Sequence, residues 1–204
     1  MKCLPVRATQ QTRTRALIVL TLLAVPSLAV FAQNSSPQDP ATLIAQQRDA
    51  MAPLSFLDGV WRGPGWMVLP SGEKITFTQT ERIGPFLDGS VKVIDGRSYG
   101  PDGKILFNAF AVLSYDSGEH SYSMRSYAQG RVGDFHFTPS ANGYTWEIPA
   151  GPMTIRYSAE VKGGVLHEVG SRILPGKQPV QFFEMNVRRL GDTDWPNAGA
   201  IGPQ

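Results

Sequence analysis

The sequence predicts an all-β protein: a single antiparallel up-and-down β-barrel of about ten strands with a short N-terminal helix. From Gly59 onward, apolar and polar residues alternate with a period of two. Turn sequences rich in Gly, Asp, Asn and Pro interrupt this alternation at short intervals. An open sheet of that many strands would curl, and closure into a barrel removes its exposed edges. A two-sheet sandwich is the alternative architecture.

Residues 1–32 are predicted to be a secretory signal peptide. Lys2, Arg7, Arg13 and Arg15 precede an apolar run over residues 16–30, and small residues then offer cleavage sites. The run is short for a membrane-spanning helix, so no stable membrane anchor is expected after cleavage. The protein is therefore predicted to be periplasmic or secreted. The sole cysteine, Cys3, would be lost with this segment.

Removal of the signal peptide changes the sign of the net charge. Four of the 19 Lys and Arg residues lie in it, which leaves 15 against 17 Asp and Glu, a net charge of −2. No basic stripe remains for nucleic acid, so no nucleic-acid partner is expected.

The chain then divides into three further segments. Residues 33–53 are predicted to be a tether and a short helix, with Asp39 as N-cap, Pro40 at the first helical position and Pro53 as the stop. Residues 54–190 form the barrel domain, and residues 191–204 form a C-terminal tail. A monomer or a homodimer is expected.

The first strand carries the residues predicted to close the barrel. Gly59, Gly63 and Gly65 would allow close approach or bending of the backbone. Trp61 would cap the closed end.

Strand alternation predicts which side chains line the interior. Phe77, Gln79 and Glu81 share one face of the second strand. A buried carboxylate needs a partner or a shifted pKa, and Arg125 is the predicted partner of Glu81. The predicted ligand-binding set is Phe77, Gln79, Glu81, Arg125, Tyr127, Trp146, Tyr157, His167 and Phe183. The strand over residues 105–115 is apolar on both faces, so its outer face is expected under the helix or in a dimer contact.

The run LDGVWRGPG at residues 57–65 resembles the opening of nitrobindin-like barrels, and its Gly-x-Trp resembles the first-strand motif of lipocalins and other calycins. Further runs resemble a bacterial lipocalin-like domain family of unknown function: TERI (80–83), LDG (87–89), AVLSYD (111–116), YSMRSY (122–127), GDF (133–135), IRY (155–157), HE (167–168) and FEM (183–185). The resemblance covers residues 54–190 and implies a calycin-type barrel. In calycins an Arg of the last strand packs across the first-strand Trp, and Arg188 and Arg189 are the candidates here. Alternation favours Arg189, which would then form a cation–π contact with Trp61 at the barrel closure.

Nitrobindins bind haem through a histidine near the C-terminus, but residues 179–190 contain no histidine. His167 is the late alternative ligand. No cofactor and no metal site are therefore expected.

The predicted function is binding of a small hydrophobic or amphipathic molecule inside the barrel. Three alternatives stay open: an enzyme with Glu81 or His167 as general base, a haem protein, and a cell-envelope interaction module with a filled barrel. Catalytic residues are not assigned.

Overall fold

The structure is a closed barrel of ten antiparallel strands, seen in a computed structural model that describes residues 39–195. Each strand pairs with the next along the chain, and the last pairs with the first. The predicted up-and-down barrel is confirmed, and the sandwich alternative is wrong. The predicted signal peptide, most of the tether and the end of the C-terminal tail lie outside the described residues.

Two helical segments lead into the barrel: α1 (Pro40–Met51) and a 3-10 helix, η1 (Ala52–Leu57). A second 3-10 turn, Leu87–Gly89, joins the second and third strands. The strands are β1 (Gly59–Val68), β2 (Lys74–Phe86), β3 (Val91–Tyr99), β4 (Ile105–Asp116), β5 (Ser121–Ala128), β6 (Arg131–Pro139), β7 (Gly143–Ala150), β8 (Met153–Lys162), β9 (Val165–Ile173) and β10 (Val180–Gly191).

Helix α1 begins as the sequence predicts, with Asp39 at the N-cap and Pro40 inside the first turn. The Asp39 side chain makes no capping hydrogen bond. Pro53 does not end the helical path, because a proline is tolerated in the first turn of a helix and the chain passes directly into η1. Met51, Leu54 and Leu57 are the buried residues of these two segments. None of the described helices is long and apolar enough to cross a membrane.

The helical segments cover one end of the barrel, which we call the capped end. Met51, Leu54 and Leu57 pack into one apolar cluster with inward-facing residues of the strands. Trp61 is fully buried there, and its indole N–H donates to the carbonyl of Leu57 at 2.9 Å. The remaining buried members of the cluster are Ile83, Ala111, Leu113, Met124, Phe137, Tyr144, Leu166, Met185 and Val187. This cluster anchors η1 to the barrel.

Glycine is required where β1 meets β10. A Cβ on Gly63 would overlap the backbone carbonyl oxygen of Asn186, so a larger residue would push the two strands apart. The pairing of β1 with β10 is also irregular between Val60 and Trp61. The barrel therefore closes through a close backbone approach, the role predicted for the glycines of this stretch.

The outer face of β4 is not covered by α1. Leu106 and Phe110 are 42% and 43% exposed. The expectation that the helix covers this face is wrong, because α1 and η1 direct their buried residues into the barrel end instead.

Candidate functional site

The interior of the barrel, which we call the lumen, changes character along its length. The capped end holds the buried apolar cluster, with one ion pair, between the buried Lys92 and Asp58, beside it. A polar layer follows, formed by Gln79, Glu81, Ser98 and Glu168, all 9% exposed or less. Aromatic side chains then extend towards the opposite end, which no described helix covers and which we call the uncovered end.

In the polar layer, β2 and β3 form a short hydrogen-bonded chain. Ser98 Oγ donates to Gln79 Oε1, and Gln79 Nε2 donates to Glu81 Oε1 at 2.6 Å. Gln79 and Glu81 lie two residues apart, so alternation places both on the inner face of β2. This chain satisfies one oxygen of the Glu81 carboxyl group.

The second oxygen of Glu81 is buried and unpaired. Glu81 lies opposite Gly96 in the β2–β3 ladder. A Cβ on Gly96 would sit 2.7 Å and 2.8 Å from the two carboxyl oxygens, so the carboxyl group occupies the space of the missing side chain. Glu81 Oε2 has no hydrogen-bond partner among the described residues. A buried acceptor left unpaired costs roughly 1–3 kcal/mol.

Glu168 approaches the same layer from β9. Its Oε1 accepts from the indole N–H of Trp146 at 3.2 Å and from the hydroxyl of Tyr144 at 3.4 Å, both on β7. Two strands thus position this carboxyl group.

Both carboxyl groups titrate near neutral pH. Burial, partly offset by the Gln79 hydrogen bond and reinforced by the charges of Glu168 and Asp95, raises the pKa of Glu81 from 4.5 to about 8. Burial, partly offset by the Trp146 and Tyr144 hydrogen bonds, raises the pKa of Glu168 from 4.5 to about 7. The physical cause is the same in both: a charge without a cationic partner is poorly solvated in the lumen.

An aromatic wall borders the polar layer; we use this name for Phe77, Phe135, Trp146, Tyr157 and Phe183. Trp146 and Tyr157 stack with their ring planes 7° apart and their centroids at 4.4 Å. Phe135 packs on Trp146 at 5.4 Å, Phe183 packs edge-on against Tyr157 at 5.7 Å, and Phe77 stacks on Phe183 at 6.0 Å. All except Phe77 are only partly buried, so the wall reaches solvent at the uncovered end.

The structure brings six of the nine predicted ligand-binding residues to this region. These six share an inner-face position, as the strand alternation predicted: Phe77, Gln79, Glu81, Trp146, Tyr157 and Phe183.

Arg125 and Tyr127 do not face the lumen, so the predicted Glu81–Arg125 pair is wrong. Arg125 forms an exposed ion pair with Asp134 at 2.8 Å and also donates to the Tyr127 hydroxyl. Tyr127 is 46% exposed and lines a depression on the outer surface together with Phe110. The inner face of β5 carries Tyr122, Met124 and Ser126 instead, as their pairing with inward residues of β4 shows.

The interior position predicted for His167 is also wrong. Its side chain is 46% exposed on the outer face, with Nε2 3.3 Å from the Glu184 carboxylate. Val165 and Val169 share that outer face, while Leu166, Glu168 and Gly170 face inward.

The predicted cation–π contact between Arg189 and Trp61 does not form. Arg189 is opposite Trp61 in the β1–β10 ladder, as alternation predicts. Its guanidinium instead donates to the Asp58 carbonyl at 3.1 Å and to Asp192 at 2.5 Å, and it fills the space above Gly59. Cation–π pairs among residues 39–195 involve other side chains: Lys74–Trp66, Arg82–Trp195, Arg125–Tyr127 and Arg172–Phe182.

The sequence reasoning missed Glu168, Tyr144 and Ser98. Glu168 follows His167 in β9, so the two side chains lie on opposite faces. Because Val165 and Val169 share the face of His167, that face was predicted to be the interior one. A signal was available: Leu166, Glu168 and Gly170 form the other face, and an inward glycine leaves room for the ring of Tyr157 and the Cβ of Phe183.

A histidine-ligated haem does not fit this lumen. His167 and His136 lie on outer faces, and His120 lies in the β4–β5 turn, where its Nδ1 is 3.3 Å from the Tyr115 hydroxyl. Within residues 39–195, no three His, Cys, Asp or Glu side chains are grouped as a metal site would need. The polar layer can instead hold protons, exchange hydrogen bonds with a ligand, or neutralise a cation.

Comparison with known proteins supports the architecture. No family model matches the chain, and no curated protein matches it. A solved structure that does match is the crystal structure of Rv2717c from M. tuberculosis, with a TM-score of 0.52 and 13% sequence identity. The match covers 69% of this chain and 96% of that chain. The similarity shows the fold alone.

Proposed function

We propose that the barrel binds a small, partly apolar molecule in its lumen, with the apolar part against the aromatic wall and a polar group at Glu81 and Glu168. The observation that carries this proposal is the unpaired, buried Oε2 of Glu81. A donor group of a ligand would remove the cost of that unpaired oxygen.

The order of the layers supports an amphipathic ligand. The polar layer lies deep, and the partly exposed aromatic rings lie between it and the uncovered end. Small-molecule sites commonly combine apolar walls with a few well-placed polar groups.

The proposal includes export to the periplasm or the medium, for which the N-terminal pattern of residues 1–32 is the support. It also includes membership of the bacterial lipocalin-like family that the barrel motifs resemble. We further propose that the protein acts as a monomer or homodimer without nucleic acid.

Native mass spectrometry of the mature protein, isolated from its own host, tests the binding proposal. The proposal predicts a small molecule that is present in the native sample and absent after denaturation. An apo mass, together with no fluorescence enhancement of the neutral apolar probe N-phenyl-1-naphthylamine, contradicts it and favours an interaction module with a filled barrel. A haem mass would contradict our assignment of the lumen.

The variant Glu81→Gln tests the site itself. It should alter retention of the co-purifying molecule, because it replaces the unpaired oxygen with a donor. Glu147→Gln is the matched control, since Glu147 lies on the outer wall of β7 next to Trp146 and pairs with Arg156 at 2.6 Å. Equal retention by both variants would contradict a role for Glu81.

A second candidate function is acid–base catalysis by the same carboxyl groups. It is favoured by the pKa values of about 8 for Glu81 and about 7 for Glu168, which suit proton transfer near neutral pH. It predicts that the molecule recovered after incubation with the wild type is chemically altered, and that the molecule recovered from Glu81→Gln is not. Identical masses in both samples would contradict it.

A further inference from the structure

The polar layer carries two acidic groups and no counter-ion. Neither Glu81 nor Glu168 takes part in an ion pair among the described residues, although eight Lys or Arg side chains pair with carboxylates elsewhere in residues 39–195. Buried charges are normally paired with an opposite charge. The described residues place no cation beside these two carboxyl groups.

The cationic side chains nearest to the lumen are bound elsewhere. Lys92, buried at the capped end, pairs with Asp58. Arg172 starts from the inner face of β9, but it donates to the Val68 carbonyl at 3.2 Å and lies over the ring of Phe182 at 4.5 Å. The protein therefore supplies no cation to either carboxyl group.

The aromatic wall is itself suited to a cation. The faces of Trp and Tyr rings attract ammonium and guanidinium groups, most strongly where water is excluded. The Trp146 indole donates to Glu168, which fixes the wall directly beside one carboxyl group. An aromatic surface beside two carboxyl groups that lack a cationic partner is a chemical match for an organic cation.

We propose that the ligand of the lumen is an organic cation, a protonated amine on an apolar body, whose ammonium group lies between Glu81 and Glu168 and whose body lies on the aromatic wall. This inference rests on the proposed function and specifies its ligand class. Neutral donors such as alcohols and amides are the competing class, and carboxylates are disfavoured by like charge once Glu81 and Glu168 are ionised.

A pH dependence follows from the groups that face the site. Glu81 on β2 faces Glu168 on β9 and Tyr144 on β7, and the charge of Asp95 on β3 also acts on it. Glu168 in turn faces Trp146, and its charge raises the pKa of Tyr157 on β8. Burial raises the pKa of both tyrosines, and the charge of Arg172 on β9 lowers that of Tyr157 by less, so both stay neutral in this range. The two carboxyl groups alone therefore change charge near neutrality. An ammonium group favours their ionised forms, so its binding releases protons and weakens as the pH falls.

The test uses three ligands with one apolar body: 2-phenylethylammonium, 2-phenylethanol and phenylacetate. Each is titrated against the mature protein at pH 5.5 and pH 8 by displacement of N-phenyl-1-naphthylamine. Calorimetry in two buffers of different ionisation enthalpy measures proton release. The variants Glu81→Gln and Glu168→Gln are compared with Glu147→Gln.

We expect 2-phenylethylammonium to bind at least tenfold more tightly than the other two at pH 8 and at least tenfold more weakly at pH 5.5 than at pH 8. Each inner variant should lose about tenfold in amine affinity while still binding the probe, and Glu147→Gln should match the wild type. Probe binding with equal affinities for amine and alcohol would overturn the cation inference and leave the proposed function standing. Failure of the probe and all three ligands would overturn the proposed function itself.

Discussion

Replacement of Glu81 by Gln should change how stability depends on pH. Gln keeps the shape of the side chain and an oxygen that can accept from Gln79, but it cannot ionise. In the wild type, burial raises the pKa of Glu81 from 4.5 to about 8, so the folded protein retains a proton that the unfolded chain loses. Stability of the wild type should therefore fall as the pH rises from 4.5 to about 8.

The size of the effect follows from that interval. At about 1.4 kcal/mol per pH unit for one proton, the full interval corresponds to about 5 kcal/mol. About 4 kcal/mol of it lies between pH 5 and pH 8, which is large beside the roughly 5–15 kcal/mol that stabilises a typical domain. Glu81→Gln should lack this pH-dependent loss of stability. It should keep the smaller loss from Glu168, whose raised pKa of about 7 also makes stability fall as the pH rises.

Urea unfolding followed by tryptophan fluorescence at pH 5, 6, 7 and 8 measures both curves. We expect the stability advantage of Glu81→Gln over the wild type to grow steadily with pH. Glu147→Gln, an exposed change of the same kind, should stay parallel to the wild type. Parallel curves for Glu81→Gln and the wild type would show that Glu81 titrates normally and would refute the buried, unpaired carboxyl group.

Three further changes test other parts of the structure. Gly96→Ala should displace the Glu81 carboxyl group and lower the affinity for 2-phenylethylammonium about tenfold. Gly191→Ala, whose new Cβ would meet no neighbouring atom, should leave that affinity unchanged. Equal amine affinities for the two variants would contradict the placement of Glu81. Asp58→Asn should destabilise the protein by about 3 kcal/mol in urea unfolding, because Lys92 is left buried and unpaired. The double variant that also carries Lys92→Met should recover part of this stability, and no recovery would contradict the pairing. Arg125→Ala removes an exposed ion pair and exposed contacts with Tyr127, so it should cost less than about 1 kcal/mol and leave probe binding unchanged. Loss of probe binding would place Arg125 at the site after all.

The architecture could be read from the sequence because its signals are local. Turn residues and two-residue alternation depend on neighbours in the chain, and they gave ten strands, the start of β1 at Gly59 and the inner positions of Phe77 and Glu81. Trp61 and Gly63 at the barrel closure were predicted for the same reason: their size limits how closely strands can approach.

The composition of the candidate site was decided by the tertiary structure. Alternation divides a strand into two faces but does not say which one is inside when both carry apolar and polar residues. On β9 the face with more apolar side chains is the outer one, so His167 points outward and Glu168 inward. On β5 the same ambiguity placed Arg125 wrongly.

The barrel, its up-and-down strand order and the position of Glu81 on an inner face were predicted from the sequence alone. Only the closed barrel places Glu81 near Glu168 and Tyr144 rather than near an arginine. The physical reason is that contacts across a lumen depend on the stagger of all ten strands. That stagger is a property of the whole sheet, and no single stretch of sequence records it.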